Sequence, residues 1–147
     1  MKYNKDELEK LKEGLTIEQV FELVAELGGE PQMLGSHFIS RTICHNPTGQ
    51  GSYKLYYYDN TKLFRCYTDC GEAFDIYELV RKVKNIAGET KSYIGKEGLV
   101  SREWALPDAI AYVASYFGFS PKTFDFDELQ ENLQDWKILN NYDRINS

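Results

Sequence analysis

The stretch TICHNPTGQGSYKLYYYDNTKLFRCYTDCG, residues 42–71, holds all three cysteines of the chain and one of its two histidines. Cys66-Tyr-Thr-Asp-Cys70, followed by Gly71, has the short spacing that turns two sulfurs toward one metal ion. The partner pair is Cys44-His45, adjacent in sequence, with twenty residues between the pairs for a hairpin to run out and return. Neighbours in a regular strand point to opposite faces. Cys44 and His45 can therefore share an ion only if the strand has broken by that point, and Asn46-Pro47 with Gly49 and Gly51 supplies such a break. His37 competes as fourth ligand, but it lies seven residues before Cys44. An extended chain would place it more than ~20 Å away, so only a fold-back would bring it in.

Three thiols can also be small buried hydrophobes. That reading expects scattered cysteines, not a spaced pair closing on a glycine at a hairpin end. The spacing favours Zn²⁺ on Cys44, His45, Cys66 and Cys70, with a water or an outside ligand as alternatives to the histidine. Four protein donors fill a tetrahedral shell, so the expected role is structural. The H-x-E with P-C-x-x-C pattern of zinc deaminases and the H-E-x-x-H of metalloproteases are both absent.

The odd cysteine number argues against a secreted disulfide framework. The start MKYNKDELEK is unlike a signal peptide, and no apolar run nears the roughly 18 residues of a membrane span. The expectation is a cytoplasmic protein with no membrane partner. At 147 residues, 42% of them hydrophobic, the chain suits one domain with a packed core, or a small domain with helical attachments. Net charge is −6, unevenly spread. Residues 1–36 and 101–147 each carry −4, whereas residues 37–100, with the cysteines, carry +2. That permits a polyanionic partner for the middle third.

Along the chain, NKDELEKLKEG reads as a charged helix with Lys2, Glu9, Lys12 and Glu13 on a solvated face. LTIEQVFELVAELGG is an amphipathic helix with Thr16 and Gln19 in a capping box. HFISRTI alternates like a strand, and YKLYYY and KLFRCY, joined by DNT, read as an antiparallel hairpin. FDIYELVRKV returns to helical spacing, with Phe74, Tyr77, Val80 and Lys84 along one face. AGETKSYIGKEG reads as a loop or exposed excursion. LPDAIAYVASYFGF is a helix with Pro107 in its first turn, and the tail carries one more helical set around Leu129, Leu133 and Trp136. The fold class expected is α+β: a small antiparallel zinc-ribbon-like sheet flanked by helices. The divisions are N-terminal helices over 1–32, a zinc-binding domain over 33–90, and a loop with C-terminal helices over 91–147.

Single-stranded nucleic acids bind where bases stack on aromatic rings and cations track phosphates. The hairpin interleaves Tyr53, Tyr56, Tyr57, Tyr58, Phe64 and Tyr67 with Lys54, Lys62 and Arg65. Alternation puts Lys54, Tyr56 and Tyr58 on one face and Tyr53, Leu55 and Tyr57 on the other. The face with Leu55 is the expected core, leaving Lys54, Tyr56, Tyr58, Lys62 and Arg65 as candidate nucleic-acid contacts. Sheet packing explains any single tyrosine equally well. Arg81, Lys82 and Lys84 read as a solvated helix end that suits the helix dipole.

Residues 37–85, through CHNPTGQGSYKLYYYDNTKLFRCYTDCGEAFDIYELVRKV, also resemble the Cys-His-Cys-Cys zinc-binding domain of bacterial and phage DNA primases, nearest the divergent phage and prophage form. The shared features are His-Asn after the first cysteine, an aromatic hairpin, a cysteine pair ending in glycine, and a helix opening DIYELV. The sequence departs in two places: Cys44 directly abuts His45, and three residues rather than two separate Cys66 from Cys70. The resemblance implies a module that engages single-stranded DNA template for RNA primer synthesis. A separate TOPRIM-type polymerase domain does the polymerisation, and that domain or a replicative helicase is the implied protein partner. Asp125 and Asp127 form a D-x-D, but it stands alone and is accounted for as a helix entry. No catalytic residue is assigned, and the isolated chain is not expected to make primers. The competing readings are a zinc-stabilised protein-interaction module that docks a replication or host factor through its acidic helices and, more weakly, a zinc-dependent enzyme.

Overall fold

In the computed structural model, which describes residues 5–118, four helices and two antiparallel sheets form an α+β fold. Helix α1, Lys5–Gly14, turns Leu8 and Leu11 into the core, with Leu15 just beyond its end. Its charged face is only partly solvated: the Lys12 ammonium reaches Glu9 at 3.0 Å and Asp75 at 3.6 Å. Lys2 lies outside the described residues. Helix α2, Ile17–Glu26, opens on the expected capping box. The Gln19 backbone N–H donates to Thr16 Oγ1 (3.2 Å), and the Thr16 N–H donates to Gln19 Oε1 (2.8 Å). Val20, Leu23 and Val24 are its buried stripe.

The main sheet is a meander in the order β1-β2-β3-β4-β5. Its strands are β1 (Gln32–Met33), β2 (His37–Ser40), β3 (Leu55–Tyr58), β4 (Leu63–Cys66) and β5 (Ala73–Phe74). The central register sets Phe38 opposite Tyr57, and Tyr57 opposite Phe64. Alternation gives a buried face of Phe38, Ser40, Leu55, Tyr57, Phe64, Cys66 and Phe74, so the Leu55 face is the core face. Phe38 and Tyr57 stack with centroids 5.2 Å apart, and Phe64 meets Tyr57 at 4.7 Å. Aromatic pairs at these separations add about 0.5–1.5 kcal/mol each beyond their buried area.

Three local readings are corrected. The strand expected from HFISRTI ends at Ser40, because Arg41 turns its N–H to Gly29 O (2.9 Å) and Ile43 closes back on Arg41 O (2.7 Å). Phe74 belongs to β5, opposite Phe64, and helix α3 runs Ile76–Ile86 behind an Asp75 cap. Its buried face is Ile76, Tyr77, Leu79, Val80 and Val83, with Lys84 at the margin. The GETKSYIGKEG excursion is exposed, but it is a hydrogen-bonded hairpin: β6 (Thr90–Gly95) pairs with β7 (Gly98–Glu103). Helix α4, Leu106–Tyr116, has Pro107 in its first turn and packs on α3. One hydrophobic cluster runs from Leu8 through Phe38 and Phe64 to Val113. The helix around Leu129, Leu133 and Trp136, and the Asp125/Asp127 pair, lie outside the described residues. No helix among the described residues is long and apolar enough to cross a membrane.

Candidate metal centre and open sheet face

Two chain reversals at one end of the sheet bring four donors together. After Ser40 the backbone turns over residues 43–45, where His45 N–H and Asn46 N–H both donate to Thr42 O, at 3.2 and 3.0 Å. Adjacent Cys44 and His45 are therefore not in a strand, and the objection that neighbours diverge falls away. The Asn46 side chain pins the turn by donating to Thr42 Oγ1 at 2.8 Å. Gly51 must be glycine here: its φ is +90°, and a Cβ would stand 2.3 Å from Thr42 Oγ1. The second reversal is a turn over residues 67–70 at the end of β4, closed by Gly71. No atom crowds Gly71, so its φ of +70° rather than lack of space demands glycine.

The ligand atoms of Cys44, His45, Cys66 and Cys70 all lie within 4.8 Å of one another. A tetrahedral shell with bonds of about 2.0–2.3 Å has edges of roughly 3.3–3.8 Å, so small side-chain shifts close this set around one ion. Cys44 and Cys66 are buried, and His45 and Cys70 are half-buried. The three sulfurs are unbridged thiols. The donor set can hold a metal ion.

Burial disfavours the thiolate at each cysteine. At Cys66 it is outweighed by hydrogen bonds from the Thr68 hydroxyl and the Cys70 and Thr68 backbones, which bring the thiol down to about 6. Burial pushes the Cys44 thiol well above its ordinary range, reinforced by the neighbouring Cys66 charge, and burial also raises Cys70. Cys66 is thus the most readily ionised of the three, and a metal ion held here would require the other two thiols to give up their protons as well. Thr68 Oγ1 sits 3.2 Å from Cys66 Sγ and 3.0 Å from His45 Nε2, tying two prospective ligands together. Sequence reasoning had no signal for Thr68 or Thr42, since hydroxyls two residues from a ligand are common.

His37 does not join the cluster. It pairs with Tyr58 across β2 and β3, on the sheet face turned away from the core. Its ring stacks on Tyr56 and Tyr58 at 5.9 and 5.7 Å, and Tyr56 stacks on Tyr58 at 6.1 Å. Tyr67, 51% exposed, meets Tyr56 edge-on at 5.0 Å, and its hydroxyl shares a 2.8 Å hydrogen bond with that of Tyr58. Lys54, Tyr56, Tyr58 and Tyr67 line an open depression of about 340 Å³, and the Arg65 guanidinium lies 5.7 Å from the Tyr67 ring. Among the described residues no acid pairs with Lys54 or Arg65.

Lys62 is placed elsewhere. Its ammonium donates to Asp59 Oδ1 (2.7 Å) and Leu15 O (2.9 Å), so it ties the hairpin turn to the helices. Tyr67 was legible, since it shares the parity of Arg65. His37 shares the face of Tyr58 only once the register is known. Arg81 and Lys82 lie near Glu78 on α3, as a charge-balanced helix end does.

Because His45 is in the cluster and His37 is about one strand away, His45→Ala is expected to lower metal retention during dialysis at least tenfold more than His37→Ala. Elemental analysis of the dialysed variants checks this, and equal retention would remove His45 from the ligand set.

No protein-family model matches the chain. It is 37% identical over 149 aligned residues to the SPbeta prophage-derived uncharacterized protein YorJ of Bacillus subtilis (strain 168). That alignment takes in 97% of this chain and 34% of the relative, so the chain spans about a third of the relative's length.

Proposed function

We propose that this chain is a zinc-held module that lays single-stranded DNA across the open face of its sheet, as part of a phage or prophage priming apparatus. The observation that carries the reading is the cluster of His37, Tyr56, Tyr58 and Tyr67 on one face, with Lys54 and Arg65 beside it and, among the described residues, no acid paired with them. Successive bases stack on such rings with about 1–3 kcal/mol each, whatever their sequence, and the cations meet the phosphates. The primase resemblance of residues 37–85 and the prophage origin of the relative support the setting.

Zinc is the metal that suits three thiols and one imidazole at tetrahedral distances, since soft sulfur selects against magnesium and calcium. With four protein donors the ion has no open position, so it acts as a fold support for the end of the sheet. Primer synthesis would then require a polymerase domain outside these residues, and that domain or a replicative helicase is the proposed protein partner. A second reading, a docking module, is favoured by the tip of the β6–β7 hairpin, where Ile94 and Leu99 are 70% and 71% exposed.

Fluorescence anisotropy with a labelled single-stranded DNA, measured at about 50 and 200 mM salt, separates the two. If Lys54 and Arg65 each neutralise one phosphate, the single-strand slope predicts a loss of about sevenfold across that range. No binding at either salt would leave the docking reading in its place.

A further inference from the structure

A second groove, of about 380 Å³, lies between α4 and the base of the β6–β7 hairpin, on residues that the sheet face does not use. Its walls are aromatic. Trp104 meets Tyr112 edge-on at 6.0 Å, and Tyr112 stacks on Tyr116 at 6.3 Å with rings 18° from parallel. Tyr116 is 40% exposed among the described residues and also meets Phe117 edge-on at 5.0 Å, so the stack ends in a partly exposed ring. Trp104, by contrast, is only 6% exposed, and its indole N–H finds no acceptor among the described residues.

The groove carries charged groups as well as rings. Lys91 stands opposite Arg102 in the β6–β7 ladder, a like-charge pair that disfavours the hairpin unless something compensates. Arg102 is neutralised by two contacts to Asp108, at 2.7 and 3.3 Å. Lys91 has no acidic partner among the described residues, and its ammonium lies 4.8 Å from the Trp104 ring centroid. Lys84 adds a second ammonium, 4.8 Å from the Tyr112 ring, paired with Glu89 at 3.3 Å. Burial, with Glu26 and Glu22, raises the Tyr116 phenol, and burial, with Glu26 and Glu89, raises that of Tyr112. One end of the groove thus offers a cation with no acidic partner among the described residues, and the other offers aromatic rings.

We infer that this groove is a nucleotide site, with the phosphate held at Lys91 and the base laid on the Tyr112–Tyr116 stack. A planar base can lie on the exposed part of the Tyr116 ring, and an anionic phosphate supplies the counter-charge that Lys91 lacks among the described residues. Lys91 is the basic residue of the groove's lining, and the lining carboxylate, Asp108, is engaged by Arg102, so Lys91 sets the phosphate end. A volume of 380 Å³ falls at the small end of ligand pockets, which suits one nucleotide rather than a run of them. The nucleotide could be free or the phosphorylated end of a strand. This inference stands apart from the sheet-face reading, because the two sites share no residue.

The test uses the full metal-loaded chain carrying Trp136→Phe, which leaves Trp104 as the sole tryptophan. Titration with ATP or GTP, corrected against free tryptophan for absorption, should give a saturable change in Trp104 fluorescence. Adenosine should bind about tenfold more weakly, as should the Lys91→Ala variant, whereas Lys91→Arg should stay within about twofold of the parent. A 5′-phosphorylated hexamer that binds where its unphosphorylated form does not would identify the strand end as the source. Tyr56→Ala should leave the ATP and GTP titrations unchanged, which keeps failure here distinct from failure of the sheet face. Circular dichroism first establishes that Lys91→Ala is folded. The inference is overturned if no nucleotide or phosphorylated strand produces a saturable change, or if folded Lys91→Ala binds as tightly as the parent.

Discussion

Replacing Cys66 by serine is expected to abolish stoichiometric metal binding and to unfold the end of the sheet that carries β3, β4 and β5. Cys66 is buried, sits opposite Leu55 in the ladder, and carries the thiol most readily ionised of the three. Serine would put a hydroxyl against the core and remove one of the four donors. Structural zinc contributes on the order of 10–16 kcal/mol in small zinc-binding peptides, as much as the whole stability of an ordinary domain, about 5–15 kcal/mol. Elemental analysis should fall from about one metal ion per chain, zinc on the proposed reading, to none. Near-ultraviolet circular dichroism should lose the signal of the Phe38, Tyr57 and Phe64 packing, while α2 and α4 keep part of the far-ultraviolet helical signal. Cys70→Ser, at a half-buried site, should lose the metal with less structural damage. A strong chelator should act on the unmutated protein as Cys66→Ser does. Zinc retained at one equivalent by folded Cys66→Ser would remove that cysteine from the centre.

The contrast between the two cysteine turns shows what a sequence conveys and what it withholds. Cys66 and Cys70 were legible because a short spacing ending in a positive-φ glycine is itself the geometry. The Cys44-His45 pair was legible only as chemistry. Its geometry depends on Thr42, Asn46 and Gly51, three residues whose interlock spans ten positions and leaves no periodic trace. The helices were readable from apolar spacing and the Thr16 cap, which are local facts. The β6–β7 hairpin was not readable, since neither strand has a buried face and its cross-strand partners include Ser92 with Ser101 and the exposed pair Ile94 with Leu99. The two-residue edge strands β1 and β5 are too short to carry any alternation. Tyrosine parity along β3 was the most informative non-helical signal, because one apolar residue, Leu55, identified the core side.

If the open sheet face carries single-stranded DNA as proposed, that parity also sets the outcome expected of its variants. Tyr56→Ala and Tyr58→Ala should each weaken single-strand binding by about 1–3 kcal/mol, roughly fivefold to 150-fold, and by a similar factor at every salt concentration. Lys54→Ala and Arg65→Ala should act differently. Each removes one phosphate contact, so the loss is greatest at low salt and the salt slope flattens by about 0.7 per residue. Lys62→Ala separates the explanations further. Its ammonium is held by Asp59 and Leu15, so it should lower stability and leave the salt slope unchanged. Tyr58 and Tyr67 share a hydroxyl contact, so Tyr67→Phe tests whether the rings or that hydrogen bond bind the strand; stacking predicts little change. Stretches carrying −4 on either side of the central third should keep overall affinity weak, and longer oligonucleotides should gain little once the face is filled. Circular dichroism separates binding from folding, because a tyrosine needed for packing would mimic a lost contact by unfolding the sheet. Folded Tyr56→Ala and Tyr58→Ala that bind as the parent does would show these rings to be packing alone, since a base that stacks on a ring cannot be indifferent to its removal.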